Sequence, residues 1–237
     1  MNENSSKRTR RTRRTNEEIQ NDIKEAAIEC ILESGFDHVM LKDILKKAHV
    51  EPVIFYNRYA DLDDCLEELA KEGEYWMPEF ALKACSIRST KEQYDALLCG
   101  LLDALKDKSI MLELLRWEIA HENKTTIRTA RSREIYTLPL THNYAMQFAD
   151  SDIDIVAFSA LLIGGIYYLS LHRKMSNFSG IDMGQEEGIE RVRKTLLKVS
   201  DIMFDRIETR KKKEQAAQEL REKGLDDEFI KNLLARF

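Results

Sequence analysis

The chain has 237 residues, with 37 lysines and arginines against 42 aspartates and glutamates, a formal charge of −5 and a mean hydropathy of −0.46. That length allows one large domain or two smaller ones with a sizeable core. Four cysteines, Cys30, Cys65, Cys85 and Cys99, form no CxxC and fall in apolar helical patterns, which argues against a disulfide framework or zinc site and for a reducing, cytoplasmic setting.

Charge is unevenly placed from the start. Lys7, Arg8, Arg10, Arg11, Arg13 and Arg14 stand against Glu3 alone, so residues 1–14 carry +5 and the remainder −10. Such asymmetry points to a polyanion, either nucleic acid or an anionic membrane surface, with a merely solubilising tail as the plain alternative. Residues 1–15 have nothing to bury and form a basic flexible arm without the apolar segment of a secretory signal.

A helix then opens at Thr15 or Asn16, with Glu17 and Glu18 in its first turn. Ile19, Ile23, Ala26, Ala27, Cys30 and Ile31 recur at helical spacing, and Gly35 stops it. A short second helix spans Leu41 to Ala48, and His49-Val50 makes a tight link. Glu51-Pro52 opens a third helix, ending near Tyr59, because proline suits the first helical position. Asp61 caps a fourth helix that Pro78 interrupts.

The pattern stays helical beyond. Tyr94, Leu97, Leu98, Leu101, Leu102 and Leu105 form one stripe; Ile110, Leu114, Leu115 and Trp117 belong to the next helix. Residues 125–149 predict a helix that Pro139 bends or divides. Residues 155–171 are uncharged, at the lower limit for a membrane span. Adjacent glycines, two tyrosines and no second span favour instead a helix buried on one face and partnered on another. Ile189, Val192, Leu196, Val199, Met203 and Ile207 mark a last long helix, followed by a polar extension with an RKKK run at 210–213 and a small amphipathic piece, DDEFIKNLLARF. No strand pattern or repeat appears, so the fold class is all-α.

Three helices in under fifty residues outline a helix-turn-helix. Ile44, Ala48, Val50, Phe55 and Tyr59 are spaced to form its core. Val53, Ile54, Tyr56, Asn57 and Arg58 are left on or near the outer face.

Here the chain resembles the tetracycline-repressor (TetR) family of transcriptional regulators. The resemblance rests on the helix ending in ESGF, on MLKDILKKAHV and on PVIFYNRYADLDDCLEEL, and covers residues 15 to about 70. It implies a DNA-binding helix-turn-helix domain at 16–62 and a larger helical effector-binding and dimerisation domain at 63–208, beyond which the residue pattern adds a polar helical extension at 209–237. It also implies a homodimeric, cytoplasmic, non-enzymatic repressor of an operator in double-stranded DNA, released by an unidentified small molecule. Three positions depart from the family: His49 stands where glycine is usual, Leu45 replaces alanine and Leu62 replaces a phosphate-binding lysine. Histidine is among the residues enriched at positive φ.

Residues 15–62 hold ten acids against five bases, so the helical unit alone is repelled by DNA. The arm restores neutrality, and Arg8, Arg10, Arg11, Arg13 and Arg14 are expected along the adjacent minor groove or phosphates. Lys42, Lys46, Lys47 and Tyr56 are candidate phosphate contacts; Asn57 and Arg58 are candidate base readers, because their side chains match adenine and guanine edges.

Aromatics at helical spacing, Tyr94, Phe158 and Tyr167 among them, are ordinary core or the lining of a cavity. Trp76, Trp117, Tyr136, Tyr144, Phe148 and Tyr168 are taken as the candidate lining. No cofactor or metal is expected, although Glu118, His121 and Glu122 with His142 or His172 leave a metalloenzyme as one alternative. The other is a helical ligand-binding or interaction module that has lost DNA binding. The helices at about 152–174 and 185–208 are the expected dimer interface, since Ser159, Ala160, Gly164 and Gly165 allow close helix approach.

Overall fold

The computed structural model describes residues 14–74, 82–107 and 109–234. Helix α1 (Asn16–Ser34) starts in a capping box: Thr15 Oγ1 accepts from the Glu18 N–H and the Glu18 carboxylate accepts from the Thr15 N–H. It ends at Gly35, whose φ of 80° is open to glycine at little cost. A 3-10 turn at Phe36–His38 leads to α2 (Leu41–Ala48) and α3 (Pro52–Tyr56). His49 closes α2 in the left-handed region, φ 52° and ψ 48°, and its N–H bonds back to Leu45. Although α3 is short, Asn57 and Tyr59 donate to the carbonyls of Val53 and Phe55, so helical bonding continues to Tyr59. Ile44, Ala48, Val50, Phe55 and Tyr59 are all buried, and the Phe55 and Tyr59 rings lie 5.1 Å apart.

The larger part comprises α4 (Leu62–Glu74), α5 (Thr90–Asp107), α6 (Ser109–Ala120), α7 (Lys124–Gln147), α8 (Ile155–His172), α9 (Glu186–Glu222) and α10 (Asp227–Leu234). Asp61 Oδ1 accepts from the Asp64 N–H, the cap expected for α4. Pro139 lies inside α7 and does not divide it. The longest helix, α9, runs 37 residues without a break at 208, so the polar extension continues the long helix before α10 folds back on it through Ile230. Gly188 is required at the start of α9, because a Cβ there would stand 1.9 Å from the Asp182 carbonyl oxygen. Among the described residues there is no strand, only an isolated bridge between Phe178 and Ile181.

Helix α6 is the common support. Met111, Leu112, Leu114 and Leu115 are buried, and it touches α1, the 3-10 turn and α4 on one side and α5, α7 and α8 on the other. Helix α8 alone among the described residues is long and apolar enough to cross a membrane. Here it packs on α5, α6 and α7. Ile155 and Ile166 are buried, while Val156, Phe158, Leu161 and Tyr168 face outward.

Because His49 holds a conformation costing an ordinary L-residue about 1–2 kcal/mol, His49→Val lowers unfolding free energy by about that amount or more. His49→Gly leaves it equal or slightly higher, as thermal unfolding of the two variants will measure.

Candidate nucleic-acid interface and effector cavity

Around the turn between α2 and α3 the expected outer face is only partly realised. Val53 and Tyr56 are 70% and 55% exposed, Asn57 is exposed beside them, and Lys42 and Lys46 are exposed on α2. Ile54 is half-buried against the core. The Arg58 guanidinium turns inward, donating to the Ile54 carbonyl at 2.8 Å and to Asn16 Oδ1 at 3.2 Å. Lys47 is likewise held by Glu33 at 2.7 Å and Glu29 at 3.2 Å on α1. The Glu33 hydrogen bond, with that of Glu29, overcomes desolvation and raises the Lys47 pKa. In this arrangement Lys47 and Arg58 are spent on the domain rather than offered outward.

Arg8, Arg10, Arg11 and Arg13 lie outside the described residues, whereas Arg14 is well placed. Its guanidinium donates to the carbonyls of Ala48 at 2.9 Å and His49 at 2.6 Å and pairs with Asp22. A cation thus neutralises the carbonyl end of α2, and the arm begins against the turn that presents α3. Sequence spacing gave no signal for this, because thirty-four residues separate Arg14 from Ala48.

A cavity of about 390 Å³ lies among α5, α7 and α8. Of the six candidate lining residues only Tyr144 borders it, joined by Tyr94, Tyr167, Ser159, Thr137, Thr141, Glu134 and an apolar majority. Trp117 instead stacks on Phe36 with ring centroids 4.7 Å apart. Phe148 packs edge-on to Phe204, Tyr136 and Tyr168 are exposed, and Trp76 lies outside the described residues. The rest of the lining follows from which stripes face each other: Tyr94, which the sequence left as core or lining, shares the α5 stripe with Leu97, Leu98 and Leu101. Tyr94 and Ser159 hydroxyls meet at 3.0 Å, and Tyr144 donates to Gln93 Oε1 at 3.0 Å. Burial raises the phenol pKa values of Tyr94, Tyr144 and Tyr167, so all three stay protonated at neutral pH.

Charged pairs tie the cavity helices to the front of the chain. Arg128 on α7 pairs with Glu67 on α4; its hydrogen bond, with one from Lys71, lowers the Glu67 pKa. His121 Nδ1 stands 3.1 Å from Asp37. Deeper, Glu118 on α6 takes a two-pronged contact from Arg133 on α7 and a hydroxyl from Thr129, with side chains 7% and 10% exposed. Glu118 is therefore consumed by a cation. Among the described residues no group of three or more His, Cys, Asp or Glu side chains is placed to hold a metal, so Glu118, His121, Glu122, His142 and His172 do not converge on one. The four cysteines are unbonded.

No family model and no curated protein matches the chain. Solved structures do match in fold. A TetR-family transcriptional regulator from Streptomyces coelicolor superposes with a TM-score of 0.60 at 15% identity over 81% of this chain and 97% of that one. The fatty acid degradation regulator FadR of Bacillus halodurans gives 0.57 at 18% over 76% and 94%. The transcriptional regulator FadR of Bacillus subtilis, in complex with stearoyl-CoA, gives 0.59 at 17% over 76% and 96%. The all-helical fold of these regulators, a front helix-turn-helix on a larger helical domain, is the fold of this chain.

Removing one partner of the buried pair strands the other's charge. Arg133→Met is expected to cost about 3–5 kcal/mol in urea unfolding. The double variant Glu118→Leu/Arg133→Met recovers most of that loss.

Proposed function

We propose that this chain, which carries the fold of the TetR-family transcriptional regulators, is a homodimeric, cytoplasmic DNA-binding regulator whose operator affinity is set by a small molecule. The observation that carries this reading is the turn itself: Val53, Tyr56 and Asn57 stand outward on α3, and Arg14 starts a strongly basic arm against the same turn. A recognition helix of this kind enters the major groove while its predecessor braces it on the backbone. Lys42, Lys46 and Tyr56 are the phosphate contacts, Asn57 a base reader, and Arg8 to Arg13 follow the neighbouring minor groove.

Dimerisation is supported by the outer face of α8. Leu161 is 75% exposed, and a groove floored by Leu162, Ile166 and Leu196 opens between α8 and α9. A second copy of that surface removes this apolar area from water and sets two recognition helices at a fixed spacing. The effector occupies the α5–α7–α8 cavity, a reading supported by the fold's likeness to a regulator complexed with stearoyl-CoA. Ligand pressure on α7 reaches α4 through Arg128–Glu67, and α4 follows the recognition helix directly. Release of the operator on binding makes the protein a repressor.

A second reading, a helical binding module without DNA affinity, draws on Lys47 and Arg58, whose charges are engaged inside the domain. Capture of genomic fragments by the purified protein separates the two, since the module retains none.

Deleting residues 7–14 removes six cations from each subunit and should flatten the slope of log affinity against log salt by about five per bound subunit. Lys46→Ala reduces that slope by about one per bound subunit, whereas Lys47→Ala leaves it unchanged; gel-shift titrations over a salt series measure both. Leu161→Glu should sediment as a monomer at micromolar concentration and lose operator affinity, and a wild-type monomer would contradict the dimer.

A further inference from the structure

The cavity's chemistry narrows the effector, an inference that rests on the regulatory reading just given. Its walls are mostly aliphatic, with the rings of Tyr94, Tyr144 and Tyr167 among them. Nearly every polar group there is already occupied. Ser159 donates to the Ile155 carbonyl at 2.7 Å as well as meeting Tyr94. Tyr144 is bound to Gln93, and Thr137 and Thr141 bond to carbonyls of their own helix. What remains are the Tyr167 hydroxyl and one carboxylate. Glu134 lines the cavity at its solvent-exposed edge, with no hydrogen-bond or ion-pair partner for its side chain among the described residues.

No lysine, arginine or histidine borders the space. Arg133, next in sequence, projects instead to Glu118, where its charge is matched. The negative charge of Glu134 is close enough to act on the Tyr167 phenol, whose pKa is raised first by burial, against Arg133, and further by Glu118 and Glu134. An anionic ligand entering here loses its hydration and meets a like charge with no cation to compensate. A cation gains the carboxylate and, in addition, a lining that includes three tyrosine rings.

We infer that the α5–α7–α8 cavity is a receptor for a hydrophobic cation, with Glu134 as its counter-ion, and that it discriminates against fatty acids and acyl thioesters of coenzyme A. The apolar body lies among Leu97, Leu98, Ile155 and Ile163, and the positive centre is held between Glu134 and the tyrosine rings. Cavity size suits a single drug-sized molecule.

Calorimetric titration of the full-length protein with tetraphenylphosphonium, palmitate and palmitoyl-CoA in turn tests this. Saturable binding of tetraphenylphosphonium at one site per chain, with neither anion binding at the same concentrations, is the expected result. Glu134→Gln should weaken the cation by about tenfold, the loss of roughly one charge contact, with an unchanged thermal midpoint. Tighter binding of either anion, no cation binding, or full cation affinity in Glu134→Gln would overturn the inference. Genomic-fragment capture by the ligand-free protein reads the regulatory function separately. Fragments retained without cation binding sink this inference alone; no fragments retained sinks the regulatory reading.

Discussion

Trp117 stacked on Phe36 is the joint at which two groups of helices become one body. Phe36 sits in a single 3-10 turn after α1, and Trp117 near the end of α6, the most enclosed helix of the larger part. Every other relation follows from covering α6 on both sides. Helices α1 and α4 shield one flank, and α5, α7 and α8 the other. A rigid support of this kind transmits displacement, because close-packed side chains have few alternative arrangements to absorb it. The two ion pairs nearby, Arg128–Glu67 and Arg133–Glu118, connect α7 to both α4 and α6. Any molecule that moves α7 therefore acts on two helices touching the front unit.

Electrostatics poses a second constraint. The front helices carry more acid than base, and part of the base is consumed internally: Lys47 by Glu29 and Glu33, Lys24 by Glu68 and Glu72. These pairs hold α1 to α2 and α4 and leave few cations to face a polyanion. The basic run at 7–14 carries six more cations, and Arg14 fixes its end to the domain. By bonding to the carbonyls of Ala48 and His49 it satisfies a helix end beside the turn that precedes α3.

Apolar surface on α8 serves two ends. One face, with Ile155 and Ser159, closes the cavity against α5 and α7; the other, centred on Leu161, faces outward beside α9. A helix apolar all round thus meets an interior on one side and leaves an exposed apolar face beside α9 on the other.

Much of this was legible from local chemistry. Caps at Thr15 and Asp61, proline at the start of α3, the glycine after α1 and the positive φ of His49 are set by residues within a turn of one another, so neighbouring sequence suffices. The buried faces of α1 and α2 followed from helical period for the same reason. Side-chain destinations did not. Arg14, Lys47 and Arg58 read as cations available to a ligand, yet each is bonded to groups far along the chain. Of the six aromatics taken as candidate lining only Tyr144 borders the cavity, with Tyr94 and Tyr167 from the wider set, since period shows that a stripe is buried but not which stripe it meets. Local bonding decided the helices; only their packing decided which charges are cancelled, which rings border empty space, and that Glu134 stands there without a counter-ion among the described residues.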